Sequence, residues 1–247
     1  MRIKYITCSD PRNYNSFDDL MDLWCIDARV EIAVQMHLGK VSPNTERYNW
    51  IREVIDNLSY RRYTPNLAIH VNNDWCDEIC NGHIPDALKP LFDEFIIFEG
   101  TPVVSRIQLN MPQKTADNFN AQKLKNVIES YEDKDFIIQY NPRTEYAVKK
   151  LQKSGARFDL LFDESGGRGI DAENFRAPIF SKAHPQGYSG GLSPENISDN
   201  LDKIKQVAGK HTIWVDAEGK LKTDNKFDVS RAAQYIKNTL AWVQKHR

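Results

Sequence analysis

Short runs of aliphatic and β-branched residues recur along the chain, each followed by a longer polar stretch that suits a helix. The runs occupy residues 3–7, 30–36, 67–71, 107–109, 136–139, 160–162 and 213–215. Alternation of this kind predicts parallel βα units. Between the runs, residues 47–58 put Tyr48, Ile51, Val54, Ile55 and Leu58 on one helical stripe, and residues 121–128 do the same with Leu124, Val127 and Ile128. A helix over 144–154, stopped by Gly155, leads back into the strand at 160–162. Residues 187–189 add a further short strand before Gly190 and Gly191, after which Ser193 is the expected N-cap of a helix opened by Pro194 and Glu195. The apolar run 95–98 reads either as an edge extension or as part of a helix. No repeat, low-complexity tract or linker interrupts the chain, so the pattern predicts one α/β domain over residues 1–247, an eight-stranded (βα)8 TIM barrel.

Length agrees with that pattern, since 247 residues is close to the roughly 250 of a typical barrel of this class. The formal net charge is −1, with 33 basic and 34 acidic residues scattered rather than blocked. That balance excludes an electrostatic platform for nucleic acid or anionic lipid and points to a small-molecule partner. No apolar run reaches the roughly 20 residues of a membrane span, and MRIKYITCSD carries no signal-peptide pattern, so a cytoplasmic protein is expected. Four cysteines are too few for a disulfide scaffold and read as reduced thiols. Cys76, Cys80 and His83 bring metal-binding residue types together on helix surface and loop, yet no second cluster completes a four-ligand set. Neither metal nor cofactor is expected.

In such barrels chemistry sits at the carboxyl ends of the strands, with phosphate held by the loops after the last two. Three glycine groups fall at such ends: Gly166, Gly167 and Gly169; Gly190 and Gly191; and Gly219. Glycine turns let backbone N–H groups approach an oxyanion without a cation, although each group also reads as a tight turn. Asp163 ends the sixth strand, where a carboxyl faces either the mouth or a loop N-cap. Cys8 ends the first strand and reads equally as a thiolate base or as a small buried hydrophobe.

Several stretches resemble one family. FDLLFDESGGRGID is similar to the Leu-Asp and Gly-Gly-x-Gly motif at strand six of phosphoribosylanthranilate isomerases, and GYSGGLSPENI closely resembles their Gly-Gly-Leu-x-Pro-Glu-Asn-Val at strand seven. More loosely, WVDAEGKLK, LAIHVNND, RIQLN and the pair Arg47 and Tyr48 resemble the family's strands eight, three and four and an Arg-Tyr after strand two. The resemblance implies an Amadori (aldose–ketose) isomerisation of a phosphoribosyl amine or a related small phosphorylated sugar. It implies Asp163 as the general acid at the ring oxygen, Cys8 as the base at the sugar's second carbon, and Arg47, Gly190, Gly191 and Gly219 as substrate-binding residues. A carboxyl near ~3.9 must then be shifted up, and a thiol near ~8.5 shifted down, to exchange protons near neutrality. The chain departs from the family pattern at three places. Aligning Lys4 with the family's lysine sets Ile6 at the base position, Asn110 replaces a histidine, and Ala217, Glu218 and Gly219 replace Ser-Ser-Gly. A barrel that binds a phosphorylated ligand without isomerising it is the rival reading. A Schiff-base aldolase is disfavoured because strand six ends in Asp163 rather than lysine.

Overall fold

The computed structural model describes residues 1–37, 41–61, 65–163, 174–181 and 184–246. Strands β1 (Arg2–Ser9), β2 (Val30–Met36), β3 (Asn66–Asn72), β4 (Val104–Asn110), β5 (Asp135–Tyr140), β6 (Asp159–Phe162), β7 (Gln186–Tyr188) and β8 (Thr212–Ala217) close a parallel barrel in chain order. Seven of them fall on the apolar runs in the sequence, and β7 overlaps the short strand expected at 187–189. The chain divides into two compact units, Met1–Ala33 with Leu160–Arg247, and Val34–Asp159. Among the described residues no helix is long and apolar enough to cross a membrane.

In the first of these, the terminal unit, β1 pairs with β8 from Arg2↔Thr212 to Cys8↔Ala217, and with β2 from Ile6↔Val30 to Ser9↔Ala33. Strand β7 lies between β6 and β8, with Leu161, Gly187 and Trp214 in register. Side chains of a strand alternate between its faces. Thr7 and Ser9 therefore share a face with Glu31 and Asp216, to which they are bonded, while Ile6 and Cys8 take the other. Helix α1 (Phe17–Trp24) begins in a reciprocal capping box between Ser16 and Asp19, which satisfies two end N–H groups, and buries Leu20, Leu23 and Trp24.

The central unit pairs β3 with β4 and β4 with β5. Its helices are α2 (Glu46–Ser59), α3 (Asn73–Cys80), α4 (Lys89–Phe92), α5 (Gln113–Asp117), α6 (Ala121–Ser130) and α7 (Glu145–Lys153). Thr45 caps α2 through the Tyr48 N–H, and Asn120 caps α6. Gly155 follows α7 at φ +78°, the left-handed conformation that ends a helix readily only with glycine. Residues 95–98 form neither helix nor barrel strand. Phe95 bridges Pro102 and the Ile96 N–H reaches the Thr101 carbonyl, making a small excursion on which Ile97 and Phe98 are exposed.

The terminal unit closes with α8 (Ile197–Ala208), a 3₁₀ turn at Gly219–Leu221, and α9 (Val229–Lys245). Helix α8 starts later than Pro194 and Glu195 suggest. Ser193 and Asn196 instead bond reciprocally, each side chain to the other's N–H, and the helix follows this turn. Asp228 caps α9 by accepting from the Ser230 and Arg231 N–H groups.

Gly187 lies directly against the Trp214 ring, which fills the space a β-carbon would occupy. Gly187→Ala should therefore destabilise the fold by about 2 kcal/mol or more, as overpacking does in a dense interior. Gly219→Ala, whose new methyl would enter open space, should change stability by no more than about 0.5 kcal/mol. Urea unfolding of the two variants checks the contrast.

Candidate acid–base site in the terminal unit

Two carboxyls face the interior of the terminal unit near the carboxyl ends of its strands. Asp216 is the penultimate residue of β8, and the Ser9 hydroxyl donates to its Oδ1 at 2.6 Å. Asp163 follows β6, two residues beyond Leu161, and so continues the face that meets Gly187 and Trp214. A third acid, Glu31 on β2, accepts from the Thr7 hydroxyl at 2.7 Å. Asp216 and Asp163 are 7% and 3% exposed, so water screens them little. Burial pushes the Asp216 carboxyl up to about 8, opposed by the Ser9 hydrogen bond and reinforced by the charges of Glu218, Glu31 and Asp163. Near neutrality Asp216 thus keeps a proton that an ordinary aspartic acid releases.

The sequence reading paired Asp163 with Cys8. Asp163 lies on the interior face, whereas Cys8 is in register with Ala217 on the opposite one and is fully buried. Burial raises the thiol far above its ordinary range, with further upward contributions from Asp216 and Glu31. The neighbouring Tyr235 of α9 is also sealed, and its hydroxyl has no hydrogen-bond partner among the described residues. A thiol so placed is a small apolar packing group rather than a base.

The loops beyond β1 and β8 are joined by charge. Asp10, buried and held at φ +71°, pairs with both Arg12 and Lys222 at 2.8 Å, and Lys222 also reaches Glu218 at 3.3 Å. The bonds to Asp10 raise the Arg12 guanidinium. Burial opposes protonation of Lys222, but Asp10 and Glu218 outweigh it and raise the amine. Both cations are therefore matched by carboxylates. Glu218 also stands at the start of the 3₁₀ turn that contains Gly219, where it competes with any incoming anion. After β7, Gly190 and Gly191 take φ values of +109° and +66°, and Asn196 donates to the Gly191 carbonyl. Gly166, Gly167 and Gly169 lie outside the described residues.

Arg47 belongs to the central unit, in the first turn of α2, where it is 9% exposed. Cys76 and Cys80 are buried on α3 with their sulfurs 4.0 Å apart, rather than on a helix surface, while His83 is exposed. Among the described residues no group of three or more His, Cys, Asp or Glu is disposed to hold a metal ion. The central unit carries a second interior constellation, Gln35, His70, Asn72, Gln108 and Asn110. Neither this group nor Ser9, Glu31 and Asp216 was singled out from the sequence. Their signal is polarity at every second position of strands that should be apolar on both faces: Thr7 and Ser9, His70 and Asn72, Gln108 and Asn110.

No known family model matches the chain, and no curated protein matches it. Its fold is similar to that of N-(5'-phosphoribosyl)anthranilate isomerase from Pyrococcus furiosus, with a TM-score of 0.55 and 12% identity over 96% of this chain and 98% of that one. The YdjI aldolase from Escherichia coli K12 aligns with a TM-score of 0.49 and 9% identity over 98% of this chain and 90% of that one. At 12% identity the likeness to the isomerase is one of fold.

The raised carboxyl of Asp216 has a consequence for stability. Its folded value of about 8 exceeds the ordinary 3.8, so between these limits the folded state binds more protons than the unfolded state. Stability should fall with rising pH across that window, by up to about 1.4 kcal/mol per pH unit, and level off above it. Asp216→Asn, which preserves an acceptor for Ser9, should flatten the slope and be more stable than the wild type at pH 9. Urea midpoints measured from pH 5 to pH 9 test this, and parallel curves for the two proteins would refute it.

Proposed function

We propose that the terminal unit carries an acid–base site for aldose–ketose isomerisation of a phosphoribosyl amine or related phosphorylated sugar, with Asp216 and Asp163 as its proton carriers. One observation carries the reading. Two carboxyls share an interior face, and burial, with smaller contributions from the charges of Glu218, Glu31 and Asp163, holds the proton on Asp216 to about 8. A carboxyl kept protonated at neutral pH on the same face as a second carboxyl offers one site both an acid and a base. The Asp216 carboxyl protonates the ring oxygen as the bond from the first carbon to that oxygen breaks, leaving an iminium ion. The Asp163 carboxylate then takes the proton from the second carbon, and the resulting enolamine tautomerises to the aminoketose. No redox partner is needed. The turn at Gly190 and Gly191 offers backbone to the phosphate, whereas Gly219 does so only against the charge of Glu218. Fold likeness to an isomerase is consistent with this reading and does not carry it.

The rival, a barrel that binds a phosphorylated ligand without converting it, draws on the sealed thiol of Cys8 and on the pairing of Arg12 and Lys222 with carboxylates. Assay of the purified protein with phosphoribosylanthranilate separates the two. Asp216→Asn and Asp163→Asn should each lower kcat by about 100- to 10,000-fold, the usual contribution of an acid or base. Cys8→Ala should retain turnover. Wild-type kcat should decline as pH rises through about 8, where Asp216 loses its proton. Unchanged turnover in both aspartate variants would overturn the assignment, and a wild type that binds ribose 5-phosphate without turnover would favour the binding protein.

A further inference from the structure

We propose that the central unit holds a separate, uncharged binding site at the carboxyl ends of β2, β3 and β4, built to accept a hydroxyl or N–H donor from a neutral polyhydroxyl ligand. Its basis is a carboxamide chain whose direction is fixed. The Asn72 Nδ2 lies 3.1 Å from the His70 carbonyl and 3.5 Å from the Met36 carbonyl, and a carbonyl oxygen can only accept. The Asn72 amide is thereby oriented, and the same Nδ2 donates to the Gln35 Oε1 at 2.6 Å. Gln35 must then present its Nε2 to the Nδ1 of His70, at 3.5 Å. On the other side the Asn72 Oδ1 accepts from the Asn110 Nδ2, and the Asn110 Oδ1 accepts from the Gln108 Nε2, both at 2.9 Å.

Gln108 also turns its Nε2 toward the His70 Nδ1, at 3.4 Å. That ring nitrogen receives amide N–H groups, so it is an acceptor and the imidazole is neutral, with its proton on Nε2. One group is left at the head of the chain. The Gln108 Oε1 is buried, in a residue 2% exposed, and has no partner among the described residues. Rotating the amide would set oxygen against the Asn110 Oδ1, so Gln108 cannot satisfy itself by flipping. A buried acceptor without a donor costs about 1–3 kcal/mol, which a ligand donor recovers.

The same arrangement selects the ligand's chemistry. None of the five side chains bears a formal charge, and the open group is an acceptor. A hydroxyl or N–H satisfies the open acceptor, which a carboxylate, having no donor, cannot do. Asn72 and Asn110, the last residues of β3 and β4, are half-buried, whereas Gln35, His70 and Gln108 are buried. This site does not depend on the isomerase reading, since it lies wholly within Val34–Asp159.

Side-chain amide resonances of the 15N-labelled protein report on the site without any turnover. Titration with ribitol should shift the Asn72, Asn110 and Gln108 NH2 signals saturably. Ribonate, which has the same skeleton ending in a carboxylate, should need about tenfold more, the equivalent of one charge-mismatched hydrogen bond. Gln108→Met should weaken the ribitol response at Asn72 and Asn110 by about tenfold. Asn110→Ala, made at a half-buried position, provides the same comparison should the first variant fail to fold, with a loss of about fivefold at Asn72. The inference is overturned if ribitol produces no saturable shift, if ribonate binds equally well, or if ribitol moves the remaining signals as readily in a folded variant as in the wild type.

Discussion

A side chain on a closed parallel strand has only two destinations, the helical layer outside or the enclosed interior, and neither is bulk water. A polar residue on such a strand must therefore find its partner within the protein. On β1 this requirement sorts neighbouring residues completely. Thr7 and Ser9 turn inward to Glu31 and Asp216, and Ile6 and Cys8 turn outward into apolar packing. The hydroxyl donors to Glu31 and Asp216 and the outward placement of Cys8 follow from that parity. A shift of one residue would exchange the hydroxyls for the thiol and leave two carboxyls without their donors.

Competition between burial and hydrogen bonding then sets the proton on Asp216. The Ser9 hydroxyl favours the charged form, but one neutral donor cannot replace a hydration shell, and the neighbouring acids add repulsion. Asp10 in the same unit has different surroundings. It too is buried, yet it contacts two cations, each at 2.8 Å. The cations that secure Asp10 are also committed by it.

The strand layout was legible because seven of the eight barrel strands coincide with a short aliphatic run, and β/α alternation needs no long-range information; β7, which is Gln-Gly-Tyr, was read instead from its place before Gly190 and Gly191. The placement of Asp163 at the end of the sixth strand was legible as well, since it directly follows the apolar run Leu160 to Phe162. Cys8 was harder. The run ITCS is compatible with burial on both faces, and the identity of the inward face depends on what Glu31 and Asp216, remote in sequence, present to it. Attention to familiar nucleophiles and glycine turns passed over the plainer sign, polar residues at every second strand position. The start of α8 was misplaced for a local reason: Pro194 and Glu195 suit a first helical turn, but Ser193 and Asn196 satisfy one another before the helix begins.

The two units answer the same constraint by different means. In the terminal unit a carboxyl avoids an uncompensated charge by keeping its proton. In the central unit polarity is carried by amides, which cannot gain or lose a proton near neutrality and must instead be aligned. Alignment begins at backbone carbonyls, whose role as acceptors is not negotiable, and passes through Asn72 to Asn110 and Gln108. A chain anchored at one end has an unmatched group at the other, and here it is an acceptor. The Asp216 carboxyl responds to pH because its surplus is a proton, whereas a ligand for the amide group, as proposed above, would be recognised through the donors it carries.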